Sequence, residues 1–549
     1  MSSGSPRGWS AATLGNAVSI ALLALLGLWL LRFQAGPWWV APPRPERWWW
    51  AAAVLALYAA FCGLIWWRSR AAAVSAGVAS AAELSAVDRD TVLVVYATQT
   101  GFALELAQRT AEALNQAGTS ALVAAIDALD RQRLSQGGRM LFIVSTTGEG
   151  DPPDHALRFV QEVLGQPADL QRLRYAVLAL GDRDYEQFCA FGQRLDQWLR
   201  QHQAQPLFEM IEVDDADEHA LNHWQEQLGA IGGTSRISLA RSRFEAWQLA
   251  ERRELNPGSC GGSVFHLTLL PPVGATPTWN AGDIAEVAPR NPPQVVAAFL
   301  QTLQLDEKTN VVFEGRNEPL ASALARAHLP SPSSVTGLDA QPLADTLRPL
   351  PHRDYSIASL PSDGNLQLLL RRVVRPDGTP GICSSWLCDH LPLNGEVELR
   401  IRTNPNFHLP EMSRRMILIG NGTGIAGLRG HLKARVQAGA ERNWLLFGER
   451  NASRDFFFGD EIQHWQSQGA IQRLDLAFSR DQSARVYVQD KLREAAQVLH
   501  QWVCDGAAIY VCGSLVGMAP AVDGVIREVL GDEQVEQLLA SGRYRRDVY

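Results

Sequence analysis

Residues 91–114 read TVLVVYATQTGFALELAQRTAEAL, and this stretch decides the fold of the unit around it. Apolar residues come first, then a short loop of hydroxyl and amide side chains, then apolar residues at helical spacing. This order predicts a buried β-strand, a turn and an amphipathic helix. Backbone N–H groups at the start of such a helix suit a phosphate, although an ordinary strand-to-helix turn has a similar composition. The loop residues concerned are Thr98, Gln99, Thr100, Gly101 and Phe102.

The same pattern occurs twice more downstream. Residues 140–156 read MLFIVSTTGEGDPPDHA, and residues 175–192 read YAVLALGDRDYEQFCAFG. In each stretch an apolar run ends in a loop that contains glycine and polar side chains. Three such strand ends predict one parallel sheet, because ligands in open α/β sheets bind at the carboxyl ends of the strands.

Together, these three loops resemble the phosphate loop and the two ring-flanking loops of the flavodoxin-like FMN domains of diflavin reductases. The resemblance implies an FMN-binding domain at 90–232, with the phosphate held by residues 98–103, which adds Ala103 to the loop. Many relatives have an aromatic residue where Thr147 stands, and here the chain resembles the sulfite reductase branch. Tyr185 is implied to stack on the flavin ring. The residues implied to line the ring are Thr146, Thr147, Gly148 and Gly150 on one face, and Gly181, Asp182, Tyr185, Phe188 and Cys189 on the other.

Short alternating runs at 263–270 and 282–289 predict antiparallel strands in a second unit, 240–410. Residues 352–373 read HRDYSIASLPSDGNLQLLLRRV and predict a strand, a turn and a strand, with Arg353 and Tyr355 on one face and Ser356 on the other. A guanidinium suits a pyrophosphate, a phenol suits a flavin ring and a hydroxyl suits flavin N5. The stretch GICSSWLCDHL at 381–391 then begins a helix with small residues.

These two stretches resemble the R-x-Y-S and G-x-x-S motifs of the ferredoxin-NADP reductase-like FAD barrels. The resemblance implies an antiparallel FAD-binding barrel, with a short helical connecting insertion between residues 289 and 352. It implies that the FAD diphosphate contacts Gly381, Ile382, Cys383 and Ser384.

The third unit, 411–549, begins with RRMILIGNGTGIAGLRGHL at 414–432, a strand followed by the GxGxxG pattern of a Rossmann-like dinucleotide site. Glu449 ends a second strand, which favours NAD. Against this, residues 477–492 read AFSRDQSARVYVQDKL, which suits a 2′-phosphate and resembles the family motif S-R-x(4)-K/R-x-Y, so we expect NADPH. The residues expected to bind it are Gly422, Thr423, Gly424, Ser479, Arg480, Arg485, Tyr487 and Gln489.

Four residues are candidates for hydride transfer. The family resemblance implies that Cys512 lies beside the nicotinamide and that Asp547 supports it together with Ser356. It also implies that Tyr549 stacks on the FAD ring and moves aside for the nicotinamide. The ending RYRRDVY at 543–549 resembles the sulfite reductase flavoprotein branch.

The N-terminal residues differ from the rest, since nine of the 17 tryptophans precede residue 70. The uncharged runs 11–31 and 48–67 predict a transmembrane hairpin of two helices within 1–70, followed by a linker at 71–89. Buried core helices are the alternative. Arginine counts do not decide the orientation, but NADPH use places the soluble domains in the cytoplasm, on the inner (cytoplasmic) membrane. No histidine precedes His155, so the hairpin has no bis-histidine haem of its own.

Composition excludes several other functions. The net charge of −8 argues against a nucleic-acid partner. The seven cysteines are scattered without a CxxC pair, so we expect no metal site. The acidic residues 212–219 fit either a solvated turn or a docking patch for a basic electron acceptor.

The sequence therefore predicts a multidomain α/β protein: a membrane-anchored diflavin oxidoreductase that passes electrons from NADPH to FAD, to FMN and to an unknown acceptor. The acceptor expected is a hemoprotein, a membrane redox protein or a ferric chelate. The alternatives are the flavoprotein component of a sulfite reductase, a membrane-associated ferric-chelate reductase and a non-catalytic, membrane-bound flavin carrier.

Overall fold

A computed structural model describes residues 78–79, 84, 87–148, 150–183, 186–214, 217–233, 237–239, 243–375 and 377–549. The predicted spans at 11–31 and 48–67, and most of the predicted linker, lie outside these residues. The longest described helices, Phe102–Gln116 and Glu218–Gly232, have 15 residues each. At about 1.5 Å per residue they fall short of a bilayer core of about 30 Å. No helix among the described residues is long and apolar enough to cross a bilayer, so the predicted multi-pass localisation in the inner membrane finds no support in them.

The N-terminal sheet is parallel throughout, as the three strand-and-loop stretches predicted. Its central strand is wholly buried, since helices cover both faces of the sheet with separate apolar cores. In spatial order the strands are Val78–Ala79, Ala121–Ala125, Val92–Ala97, Gly138–Ser145, Leu173–Gly181 and Gln205–Pro206, and Ile211–Asp214 also pairs with Leu173–Gly181. The helices are Phe102–Gln116, Arg131–Ser135, the consecutive turns Asp154–Ala156, Leu157–Phe159 and Val160–Leu164, then Ala190–Gln201 and Glu218–Gly232.

The middle sheet is antiparallel and has six strands. Its order is Arg353–Ser356, Ile284–Val287, Glu396–Arg402, Glu245–Glu254, Val264–Leu270 and Leu366–Arg371. The described strand pairing runs as an open path, so closure into the predicted barrel stays a prediction. Short helical turns follow at Pro361–Asp363, Ile382–Ser385, Trp386–His390 and Pro405–Phe407.

A small helical insertion separates Ile284–Val287 from Arg353–Ser356 and has its own apolar core. It contains the helices Pro293–Leu303, Leu320–Ala325, Pro332–Val335 and Ala340–Thr346. Two short antiparallel ladders complete it, Asn310–Phe313 with Arg316–Pro319 and Ala327–His328 with Arg348–Pro349.

The C-terminal sheet has five parallel strands in the order Ile471–Phe478, Asn443–Glu449, Met416–Asn421, Ala508–Gly513 and Tyr544–Val548. The helices around it are Gly422–Gly424, Ile425–Gln437, Ala452–Asp455, Gly459–Ser467, Val488–Glu494, Ala496–Cys504, Met518–Leu530 and Asp532–Ala540. In the last strand pair Asp547 lies directly opposite Cys512. The predicted domain limits stay predictions.

Candidate functional site

Three residues predicted for hydride transfer lie together. The Ser356 hydroxyl donates a hydrogen bond of 2.8 Å to Asp547 Oδ2, and the Cys512 thiol donates to the same oxygen at 3.7 Å. Ser356 belongs to the middle sheet, whereas Cys512 and Asp547 belong to the C-terminal sheet. In the chain, Ser356 and Cys512 precede Asp547 by 191 and 35 residues. A Cβ built on Gly427 would lie 3.4 Å from Ser356 Cβ and 3.5 Å from Cys512 Sγ, so the start of the helix Ile425–Gln437 packs directly against the centre.

Burial sets the protonation of this centre. It raises the pKa of Asp547, which is 9% exposed, while the hydrogen bonds from Ser356 and Cys512 act in the opposite direction. Burial and the neighbouring Asp547 carboxylate raise the pKa of the Cys512 thiol well above its usual value. The thiol therefore keeps its proton near neutral pH and acts as a hydrogen-bond donor.

A cavity of about 650 Å³ lies at the carboxyl edge of the C-terminal sheet. Seven residues predicted for the dinucleotide and the ring gate line it: Gly422, Thr423, Ser479, Arg480, Tyr487, Gln489 and Tyr549. Two others do not. Arg485 is exposed outside the cavity, and Gly424 is buried where a Cβ would lie 2.5 Å from the carbonyl carbon of Cys512. Gly424 thus allows close packing of helix on strand, and Gly422, at φ 56°, makes the turn.

The C-terminal residue forms one wall of this cavity. Tyr549 donates a hydrogen bond of 3.3 Å from its phenol to Thr423 Oγ1. Its backbone is tied on both sides, by Tyr549 N to Gly513 O at 3.0 Å and by Leu515 N to Tyr549 O at 2.9 Å. The residue as a whole is 58% exposed, although its backbone is anchored on both sides.

The FAD motifs also meet. The Tyr355 phenol donates to Cys383 Sγ at 3.3 Å, which joins the R-x-Y-S strand to the G-x-x-S helix. Burial raises the pKa of Cys383 to about 11 and raises that of Tyr355 as well. Ser384 Oγ accepts from Val373 N at 3.1 Å. A Cβ on Gly381 would crowd Ser384 and Val373 at 3.0 Å, so Gly381 fits the close approach that a diphosphate requires. Arg353 is exposed at the start of its strand.

The edge of the N-terminal sheet has a smaller cavity of about 170 Å³. The predicted FMN residues that line it are Thr98, Thr100, Phe102, Thr146, Gly148, Gly181, Asp182 and Cys189. Gln99, Gly101, Ala103, Thr147, Gly150 and Phe188 lie nearby without lining it, and Tyr185 is outside the described residues.

Two observations fit a ligand here. Thr147 Oγ1 is buried without a hydrogen-bond partner among the described residues. Gly148 has φ 51°, and a Cβ there would meet nothing within 4 Å. By contrast, Cys189 has a structural role, because its thiol donates to Ala179 O at 3.3 Å and burial raises its pKa to about 12.

The phosphate loop is held from outside its own sheet. Asn406 Nδ2 donates to Thr98 O, and Arg402 Nε donates to Thr100 O at 3.1 Å. Gln99 Nε2 donates to Arg546 O at 3.0 Å, and the Arg546 side chain is ion-paired with Asp154. These bonds hold the loop carbonyls from outside, while inside the loop Gly101 N donates to Thr98 Oγ1 at 2.9 Å.

Sequence reasoning missed several of these residues. His155 Nε2 accepts from Thr98 N at 3.0 Å, and Arg371, Glu449 and Arg450 line the dinucleotide cavity. The sequence identified Glu449 as a residue that favours NAD, but it did not identify the partners of this carboxylate. Only the position of Arg450 beside Glu449 was visible in the sequence as a hint.

Three described residues of the acidic stretch 212–219 have local partners. Asp217 Oδ2 accepts from Ala220 N at 3.1 Å and caps the helix Glu218–Gly232. Asp214 accepts from Arg183 N at 3.0 Å, and Glu212 accepts from Gln193 at 2.8 Å. These bonds fit a structured turn, and the docking patch stays a prediction.

Known proteins match the chain in two ways. Residues 94–224 match the Flavodoxin family, and residues 418–524 match the Oxidoreductase NAD-binding domain family. A protein of Bacillus subtilis (strain 168), named sulfite reductase (NADPH) flavoprotein alpha-component, is 30% identical over 86% of this chain and 92% of its own. Proteins of the same name from Neisseria meningitidis serogroup C (strain 053442) and Vibrio cholerae serotype O1 (strain N16961) are also 30% identical, over 88% and 89% of this chain and 94% and 92% of theirs.

Proposed function

The chain belongs to the family of the sulfite reductase (NADPH) flavoprotein alpha-components, and from this premise we propose that it delivers electrons from NADPH to the hemoprotein component of a sulfite reductase. It is an NADPH-dependent flavoprotein oxidoreductase with FMN, FAD and NADPH as cofactors. The relatives favour the sulfite reductase alternative over the general hemoprotein reductase that the sequence suggested first. A lipid bilayer as partner, and with it the inner-membrane localisation, has no support.

The entry of electrons is assigned to the dinucleotide cavity and the Ser356–Cys512–Asp547 centre. Asp547 accepts from both Ser356 and Cys512, so one carboxylate oxygen orients a hydroxyl and a thiol toward one place. Burial keeps the thiol protonated and water away. Tyr549 would form the movable wall, because its backbone is held by two hydrogen bonds while the residue as a whole is 58% exposed. When bound, the flavins supply acceptance of a hydride and release of single electrons.

The exit of electrons is assigned to the N-terminal sheet. Residues 98–103 would hold the FMN phosphate by helix-start N–H groups, and Thr146, Thr147, Gly148 and Gly150 with Gly181, Asp182 and Phe188 would line its ring. Arg353, Tyr355 and residues 381–384 would hold FAD. The roles at the two sheet edges rest on the motif resemblance and on the two cavities, and the FAD role rests on the motif resemblance and on the contact between Tyr355 and Cys383.

The observation that carries the acceptor proposal is the match over 86% of this chain and 92% of a relative that is named as a sulfite reductase component. The test mixes the purified, flavin-loaded protein with a sulfite reductase hemoprotein, NADPH and sulfite. We expect the sulfide formed to account for the electrons supplied by the NADPH consumed. With Asp547→Asn we expect little sulfide. Flavin reduction without sulfide, together with fast reduction of a ferric chelate, would contradict this acceptor. An absence of flavin reduction by NADPH would favour the non-catalytic carrier.

A further inference from the structure

One arginine of the dinucleotide cavity comes from a different sheet. Arg371 ends the strand Leu366–Arg371 of the middle sheet, yet it lines the cavity at the edge of the C-terminal sheet. A Cβ built on Gly422 would lie 3.5 Å from Arg371 Nη2 and 3.5 Å from Glu449 Oε1. The guanidinium therefore lies directly over the glycine turn at which the helix Ile425–Gln437 begins.

Glu449 is engaged on several sides. It forms an ion pair with Arg371, and it accepts from Arg450 N at 2.8 Å and from Arg450 Nη1 at 3.0 Å. Its side chain is 4% exposed. An acid at the end of a second Rossmann strand usually binds the ribose 2′-hydroxyl of NAD. Here Glu449 instead pairs with the guanidiniums of Arg371 and Arg450, and the three side chains together carry one net positive charge.

Arg371 keeps donors to spare. Its Nη1 donates to Gly262 O at 2.8 Å and its Nη2 donates to Glu449. A guanidinium has five N–H donors, so these bonds use two of them. The side chain is 25% exposed, which leaves it open to a ligand in the cavity. A planar fork that is fixed on one side and open on the other suits a bidentate contact with phosphate.

We propose that Arg371 binds the pyrophosphate of the dinucleotide, and that Glu449 is a positioning residue that holds this guanidinium over the Gly422 turn. The proposal rests on the proposed use of this cavity by NADPH. It divides the cavity into two anion sites, a pyrophosphate site at Arg371 and a 2′-phosphate site at Ser479 and Arg480. NADPH and NADH share the pyrophosphate, so Arg371 contributes affinity for both and selectivity for neither.

The simpler interpretation is that Arg371 and Glu449 form only a salt bridge between two sheets. The two interpretations differ in ligand binding. Loss of a salt bridge between sheets would affect every ligand of the cavity alike, whereas loss of a pyrophosphate contact would affect only ligands that carry a pyrophosphate. NADP⁺ carries both anionic groups, whereas adenosine 2′-monophosphate carries only the 2′-phosphate. Comparing these two probes separates the two anion sites without any electron transfer.

The experiment measures binding of NADP⁺ and adenosine 2′-monophosphate by calorimetry on the oxidised, flavin-loaded protein. We expect Arg371→Met to weaken NADP⁺ binding by roughly 10- to 100-fold, the range of a lost charged hydrogen bond, and to leave the 2′-monophosphate within about twofold. Arg480→Ala should weaken both probes. The kcat/KM ratio of NADPH to NADH should fall for Arg480→Ala and hold for Arg371→Met.

Arg372→Met is the matched control, because Arg372 is the next residue and pairs with Asp389 at 3.2 Å outside the cavity. It should bind NADP⁺ like the parent protein. If Arg371→Met lowers flavin content or the unfolding temperature, Arg371→Lys decides, since it keeps the charge and loses the fork. We expect Arg371→Lys to weaken NADP⁺ binding by about 3- to 10-fold. NADP⁺ binding within twofold for the deciding variant, or an equal loss for both probes, would overturn the proposal.

The role of Glu449 is tested by a double-mutant cycle. Glu449→Gln should change NADP⁺ binding when Arg371 is present and have no effect in the R371M background. An equal effect in both backgrounds would overturn the positioning role. All of these measurements omit the hemoprotein, so a failure of sulfide formation with normal NADP⁺ binding counts against the proposed acceptor alone.

Discussion

The phosphate loop of the N-terminal sheet and the glycine turn of the C-terminal sheet solve one problem in different ways. Each follows a buried parallel strand and begins a helix, with Gly101 at φ 88° in the first and Gly422 at φ 56° in the second. The cavity at the first is about 170 Å³, and its loop carbonyls are held by side chains of other segments. The cavity at the second is about 650 Å³, and guanidiniums form part of its wall.

The difference between the two sites fits how long each ligand stays bound. A backbone loop clamped from outside suits a group that stays bound, because little freedom is left to lose on binding. A larger cavity lined in part by exposed side chains suits a ligand that must enter and leave. The two sites meet in the strand Tyr544–Val548, where Arg546 pairs with Asp154 beside the phosphate loop and Asp547 holds Ser356.

The largest expected effect separates the two turns. Gly424→Ala places a Cβ 2.5 Å from the carbonyl carbon of Cys512, and the helix start and the strand cannot separate without disrupting the C-terminal sheet. We therefore expect the free energy of unfolding to fall by about 3 kcal/mol and NADP⁺ binding to be lost. Gly101→Ala overlaps the Thr403 carbonyl of another segment, and this overlap is relieved if the segments separate, whereas the backbone strain of an alanine at φ 88° remains. Thermal unfolding measures both. Gly524→Ala, in open space on the helix Met518–Leu530, is the control and should be neutral or stabilising. Equal losses for Gly424→Ala and Gly524→Ala would refute the packing role.

The next effect concerns pH. Asp547 has a raised pKa in the folded protein, so above the ordinary aspartate value the folded state binds the extra proton. Stability should therefore fall as pH rises through the raised pKa, by at most about 1.4 kcal/mol per pH unit. Asp547→Asn should flatten this slope, measured as denaturant midpoints against pH. A slope unchanged in the variant would place the titration elsewhere.

A third prediction concerns the gate. Tyr549→Ala removes the exposed ring from the cavity wall while the backbone ties remain, so selectivity against NADH should fall by about tenfold. Steady-state kcat/KM for both dinucleotides checks this. Tyr549→Phe keeps the ring and loses only the bond to Thr423, and should stay near the parent ratio. An unchanged preference in the alanine variant would remove the gating role.

The smallest effect concerns the clamp on the phosphate loop. Arg546→Ala removes the partly buried ion pair with Asp154 and should lower the free energy of unfolding by about 1 kcal/mol. It should also raise the FMN dissociation rate, at low and at high salt. FMN release is followed by its fluorescence. Arg158→Ala, which removes the exposed pair with Glu162 at 3.0 Å, should leave FMN release unchanged. A matching change in both variants would show that the clamp has no specific role.

Local pattern predicted much of this molecule. The strand, loop and helix order at 91–114 and at 414–432 predicted two parallel sheets, and both are present. The cofactors FMN, FAD and NADPH were also predicted correctly. The localisation was wrong, since hydrophobic runs report on composition and do not establish a membrane span.

Sequence by itself determined the strand-end loops, the glycine turns and the chemistry they offer, because these depend on residues a few positions apart. Only the tertiary structure decided which distant side chains complete each site. Arg371 and Glu449 are 78 residues apart, and Arg546 and Asp154 are 392 apart, so no local pattern relates them. Their pairing depends on how the three sheets pack, and it changes the meaning of Glu449 from a signal for NAD to an anchor for two guanidiniums.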